Sequence, residues 1–230
     1  RTILDKEVSA EVLRGLENDH AVMHRPLWDA FGEAKLLGMG VPEMQGGAGF
    51  SEVELGILLK EQGRVAAPIP LLSSLGGVAG FINRFGEGEV LEKWLPKLCS
   101  GQSIGCIGVS DWRDGAPEEL RFQAGKLCGY LGAVKDGGIA DCILCPVCEQ
   151  GALNWYLVEV GRCGISSLLQ TTTDGQSSAC YLFEEVLIED GDLVFRDETA
   201  AVSWDYLRGR ILALGACLQV GLSETQLELT

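Results

Sequence analysis

The sequence predicts an α+β multidomain chain. An N-terminal all-α helical domain is followed by an antiparallel β-barrel or sandwich domain and the first helix of a truncated C-terminal helical bundle. Three observations lead there. Apolar residues recur at helical spacing as far as residue 102. Short apolar runs between turn residues fill 103–198. Helical spacing returns over 199–230. Charge follows the same division, since 103–198 carries 16 acidic but only 6 basic side chains.

Pro26 sits at a first-turn position ahead of Leu27, Phe31, Ala34 and Leu37, a stripe that Gly38 ends. Ser51 and Glu54 form a capping box before the run holding Val53, Ile57 and Leu58. A third helix spans about Ser74 to Phe85. Its Gly76, Gly77 and Gly80 make it intrinsically weak, so it is expected to pack closely against another element. A fourth covers Val90 to Leu98. SIGCIGV, IADCILCPV, LNWYLVEV and ACYLFEEVLI then read as antiparallel strands. Trp204, Leu207, Ile211, Leu214 and Leu218 mark the closing helix. Ala213, Cys217, Val220 and Leu222 make it apolar nearly all round, so it is expected to be buried, by a further domain or by a partner chain.

The net charge of −15 excludes a nucleic-acid surface, which needs clustered Lys and Arg. It also disfavours anionic lipid. No apolar window is long enough to span a membrane, and no secretory opening is visible. Nine cysteines, an odd number, read as reduced thiols of a cytosol-like compartment. Cys142, Cys145 and Cys148 lack the fourth ligand of an iron–sulfur run and fit a buried strand better. His20 and His24 have no Glu after the first and no third ligand, so they read as solvent-facing. Gly38 and Gly40 lack the third glycine of a dinucleotide loop. Gly46, Gly47 and Gly49 are followed by no P-loop Lys, so turns account for them.

In order along the chain, LLGMGVPEMQGGAGFSEVELGILLKEQGRVAAPIPLLSS (36–74), RFGEGEVLEKWLPKLCSGQSIG (84–105), GGIADCILCPV (137–147), YLFEEVLIEDGDLV (181–194) and RILALGACLQVG (210–221) occur at consistent separations. This set resembles the acyl-CoA dehydrogenase family along nearly the whole length. The resemblance implies a helical domain over 1–102, a middle β-domain over 103–198 and the start of a C-terminal helical domain over 199–230. It implies FAD as cofactor, an acyl-CoA thioester as substrate and an electron-transfer flavoprotein as oxidant of the flavin. It further implies a homo- or hetero-oligomer in the cytoplasm, or in the mitochondrial matrix of a eukaryote.

Carried over residue by residue, backbone groups around Ile107, Val109 and Ser110 are implied to meet the flavin's polar edge, with the Ser110 hydroxyl reaching the ring. Ser110-Asp111-Trp112 stands where relatives read Thr-Glu-Pro, and the loop from Asp114 to Gln123 looks shortened. On the next segment Ala133, Val134 and Lys135 replace Trp-Ile-Thr, so Ala133 takes the place of the flavin-stacking aromatic and Lys135 that of the hydroxyl. Arg210 is the implied substrate contact on the closing helix; beside it, where some relatives carry the base, Gly209 and Ile211 offer no carboxylate. Two further readings stay open. One is a degenerate, non-catalytic subunit of a hetero-oligomer. The other is an acyl-CoA binding module without redox chemistry.

Overall fold

The computed structural model describes residues 1–110, 112, 119–170 and 172–230. Three helices open the chain: α1 (Thr2–Glu7), α2 (Ala10–Asn18) and α3 (Arg25–Glu33). α3 ends before the expected Gly38. Lys35 enters the left-handed region, and a separate 3-10 turn forms at Leu36–Gly38. The predicted capping box starts α4 (Glu52–Arg64): Ser51 N–H donates to Glu54 Oε2 at 2.9 Å, and Val53 N–H to Ser51 Oγ at 3.2 Å.

The glycine-rich helix is not regular. Leu72–Ala79 is wound as a π-helix and continues into α5 (Gly80–Phe85). Wide winding of this kind is rare and depends on surrounding contacts. Here they are close on every side, as expected for so weak a helix. A Cβ on Gly76 would lie 3.0 Å from Leu214 Cδ1, one on Gly77 would overlap Ile107 Cδ1, and one on Gly80 would reach Arg210 Nε at 2.5 Å. α6 (Gly88–Ser100) follows.

Strands β1 (Gly105–Ile107), β2 (Leu120–Gln123), β3 (Lys126–Lys135), β4 (Cys142–Glu149), β5 (Ala152–Glu159), β6 (Ile165–Gln170), β7 (Ser178–Leu187) and β8 (Leu193–Asp197) form two four-stranded sheets. The inner sheet runs β1-β4-β5-β8 and the outer β2-β3-β7-β6. The β region is not purely antiparallel as expected, because β1 pairs parallel to β4. The sheets pack face to face through Ile143, Cys145, Val147 and Val158 from one side and Leu131, Val134, Tyr181 and Phe183 from the other. The inner sheet's second face takes Phe81, Trp94 and Leu98 of α5 and α6 against Leu144, Trp155 and Leu157. Cys142 and Cys145 are thus buried on β4, on opposite faces, and burial pushes both thiols far above their usual range.

α7 (Val202–Glu228) closes the structure. Trp204, Leu207 and Leu214 are buried, but Leu212 is 60% and Val220 48% exposed. Within this chain the helix is therefore covered on one side, and its second apolar side is the one expected to meet a further domain or a partner chain. Its start is fixed by Asp197, which accepts from Ser203 N–H (2.7 Å) and Ser203 Oγ (2.8 Å). Trp155 Nε1 donates to the same Ser203 oxygen at 2.8 Å. α7 crosses α4 with almost nothing between the backbones. A Cβ on Gly63 would overlap the Leu218 carbonyl, and one on Gly221 that of Lys60.

The expectation of solvent-facing histidines fails for His24. It is 5% exposed, and its Nδ1 accepts from Leu27 N–H at 2.9 Å to cap α3. His20 lies at positive φ outside any helix, so the two share no helix face.

Candidate functional site

Two concavities flank α7. The first is a cavity of about 270 Å³ between α4, the 66–70 segment, the end of β3, the 174–177 turn and the later half of α7. The second is an apolar groove of about 700 Å³ between α4 and α7, lined by Val53, Gly56, Ile57, Ala213, Cys217 and Val220, with Glu52 and Arg210 at one end.

The β3 strip borders the first cavity. Ala133 is exposed at φ +42°, Val134 is fully buried in the sheet interface, and Lys135 is exposed and lines the cavity. Val134 therefore offers only backbone to a ligand, whereas the positions on either side face outward. The next residue, Asp136, is buried and accepts a hydrogen bond from Ser73 Oγ of the π-helix. Burial raises its carboxyl above the usual range, against the effects of Ser73 and Lys135. Across the cavity, hydrogen bonds from Thr172 and from Gln176 N–H hold the Asp174 carboxyl below the usual range. Two carboxyls shifted in opposite directions and a lysine thus share one small space.

The β1 end is more self-contained. Ile107 and Val109 are buried. Gly108 N–H donates to the Leu144 carbonyl (2.8 Å), and Val109 N–H to that of Ile107 (2.7 Å), so neither donor points to a ligand. Ser110 is exposed and its hydroxyl donates to Glu119 Oε1 at 2.9 Å. Asp111 and residues 114–118 of the loop expected to be short lie outside the described residues. Arg210 is only 7% exposed, ion-paired with Glu52, and its Nε donates to the Gly76 carbonyl at 2.5 Å. It braces α7 against α4 and the π-helix, and a substrate anion would have to displace Glu52 to claim it.

Residues 1–102 match the family model described as acyl-CoA dehydrogenase, N-terminal domain. A Mycobacterium tuberculosis protein named acyl-CoA dehydrogenase FadE27 is 30% identical over 178 residues, covering 75% of this chain and 47% of its own. The mitochondrial isovaleryl-CoA dehydrogenase of Solanum tuberosum is 27% identical, with 85% and 54% covered. Among solved structures, the ChsE4–ChsE5 complex from M. tuberculosis superposes with a TM-score of 0.88 at 24% identity, covering 99% of this chain and 62% of that one. The chain carries the similarity to that family in sequence over residues 1–102 and in fold along 99% of its length. It spans about half the length of these curated relatives.

The resemblance carried over from the motifs points to the β3 strip and Arg210 but not to Gln62, Ser73, Asp136 and Asp174. Gln62 and Ser73 lie in apolar helical runs and Asp136 follows a strand, so in sequence each looks incidental. Gln62, Asp136 and Asp174 are set apart only by lining one cavity, and Ser73 by its bond to Asp136; the one usable signal in sequence is that a polar side chain at a core position of a helix implies a partner.

Proposed function

We propose that this chain is part of an FAD-dependent acyl-CoA dehydrogenase that carries out α,β-dehydrogenation of an acyl-CoA thioester. The observation that carries the reading is Lys135, exposed at the end of β3 on a cavity walled by helical and β segments together, with Ala133 exposed two residues before it. In this reading 1–102, 103–198 and 199–230 are the helical domain, the β-domain and the beginning of the C-terminal helical domain.

The residues present fit a flavin on one side. Ala133 leaves a flat approach free of bulk, and Lys135 places a cation at its edge. Lys135 would hold the polar rim of the ring; Ser110 would join it only by exchanging Glu119, and the Val109 N–H only by exchanging the Ile107 carbonyl. Bound there, the flavin would supply the hydride acceptor. The chain's own part is positioning: Lys135 offsets negative charge, and the π-helix and α7 close one wall. Arg210 would meet substrate only after exchanging Glu52 for a substrate anion. The outer partners of this reading are an electron-transfer flavoprotein and a homo- or hetero-oligomeric assembly, cytoplasmic or in a mitochondrial matrix.

One observation favours a second reading, a subunit that completes a catalytic sibling. Ala133 offers a methyl where an aromatic is expected, and Arg210 is already spent. The ChsE4–ChsE5 neighbour is itself a complex of two different chains.

Purification with absorbance spectroscopy separates these readings. A yellow protein that releases flavin on denaturation is the expected result. Colour acquired only on co-expression with a second dehydrogenase chain points to the subunit role. Protein that stays colourless in both cases yet binds acyl-CoA overturns the redox proposal.

A further inference from the structure

The cavity beside Lys135 holds polar groups that the flavin strip does not use. Gln62 is 6% exposed. Its Nε2 donates to the carbonyls of Ala67 (3.0 Å) and Ile69 (2.7 Å), which fixes the amide's orientation. Its Oε1 is buried without a hydrogen bond at the cavity wall. An unmet buried acceptor is costly and therefore calls for a ligand that can donate. Asp136, buried and bonded to Ser73, stands in the same wall, with Lys135 and Asp174 at its rim. The remaining surface is hydrocarbon from Ile69, Leu72, Ile139, Leu218 and Leu222.

We propose that this cavity is a subsite for a neutral hydroxyl group at the far end of the acyl chain, next to the proposed dehydrogenation site. The inference rests on the dehydrogenase reading for its substrate class. The volume of about 270 Å³ lies just below the range of whole-ligand pockets, so it suits the end of a longer molecule. A carboxylate there would face Asp136 and Asp174, and an ammonium group would face Lys135. A hydroxyl donates to Gln62 Oε1 without bringing a charge into the cavity. The apolar walls take the carbons leading to it.

Calorimetric titration of the purified protein, in the assembly in which it is isolated, with decanoyl-CoA and with ω-hydroxydecanoyl-CoA tests the subsite. The hydroxylated thioester is expected to bind roughly three- to tenfold more tightly. Gln62→Met is expected to erase that preference while leaving decanoyl-CoA affinity within about twofold. Asp136→Asn, which keeps an acceptor for Ser73, serves as the second variant and is expected to reduce the preference. Equal affinities in the wild-type protein, or tighter decanoyl-CoA, overturn the subsite and leave the dehydrogenase reading standing. Failure of both thioesters overturns the dehydrogenase reading. In that case free octanediol decides the subsite, since binding that Gln62→Met abolishes upholds it and no binding sinks it.

Discussion

The two sheets of this chain share a topological style but live in different solvents. The inner sheet is covered on both faces, by α5 and α6 on one side and by the outer sheet on the other. β5 is accordingly buried from Ala152 through Val158. The outer sheet has one dry face and one wet face. On β7, Tyr181 and Phe183 are buried while the intervening Leu182 is 40% exposed, and on edge strand β6 Leu168 is 71% exposed. Strands buried on both sides read as continuous apolar runs, and those buried on one side alternate. The functional consequence is direct. Ala133 and Lys135 can face a ligand only because β3 belongs to the sheet with an open face.

Substitutions can break or sharpen this contrast. Leu157→Ala on β5 empties a fully buried site beneath Trp155 and α6. It is expected to cost about 3 kcal/mol in chemical denaturation, and a loss below about 1 kcal/mol would mean that the inner sheet is not tightly covered. The next effect is a pH response at Asp197, the last residue of β8. Burial opposes ionisation there, but hydrogen bonds from Ser203 and Thr199 prevail and hold the carboxyl at about 2. The folded value lies below the ordinary carboxylate value, so its stabilisation is present above pH of about 4 and fades as pH falls toward 2. The stability lost across that window is about 2 kcal/mol. Urea midpoints measured across it should flatten in Asp197→Asn, and an unchanged slope would remove the cap from the account. The smallest change belongs to the outer sheet. Leu168→Thr on β6 is expected to shift stability by less than about 0.5 kcal/mol, and a larger loss in thermal melts would show that this face is covered in solution.

Much of the fold was legible because it is local. The Ser51–Glu54 box needs only four residues, and the apolar runs of β4 and β5 announce double burial without any partner being known. β6 and β8 escaped notice for opposite reasons: the first is an exposed edge strand with serines, and the second is only five residues long. The glycine-rich stretch reads as a weak helix from sequence, but the side chains that crowd its glycines, Leu214, Ile107 and Arg210, are remote in sequence. His24 misled because a histidine near a chain's start looks solvated until α3 and the Pro68 carbonyl are placed around it. The candidate site was legible only as a resemblance. That Lys135 and Asp136 border a cavity with Gln62 depends on the end of β3 and α4 lying across one space, a placement that no local pattern encodes.

The crossing of α4 and α7 at Gly63 and Gly221 has a mechanical corollary. Where two helices meet through side chains, rotamer changes let them slide and tilt. Here the α-carbon of each glycine rests on the opposing main chain, so no such cushion exists, and Lys60 and Glu224 pin the pair at 2.8 Å. A displacement of one helix at this crossing is therefore expected to carry the other with it.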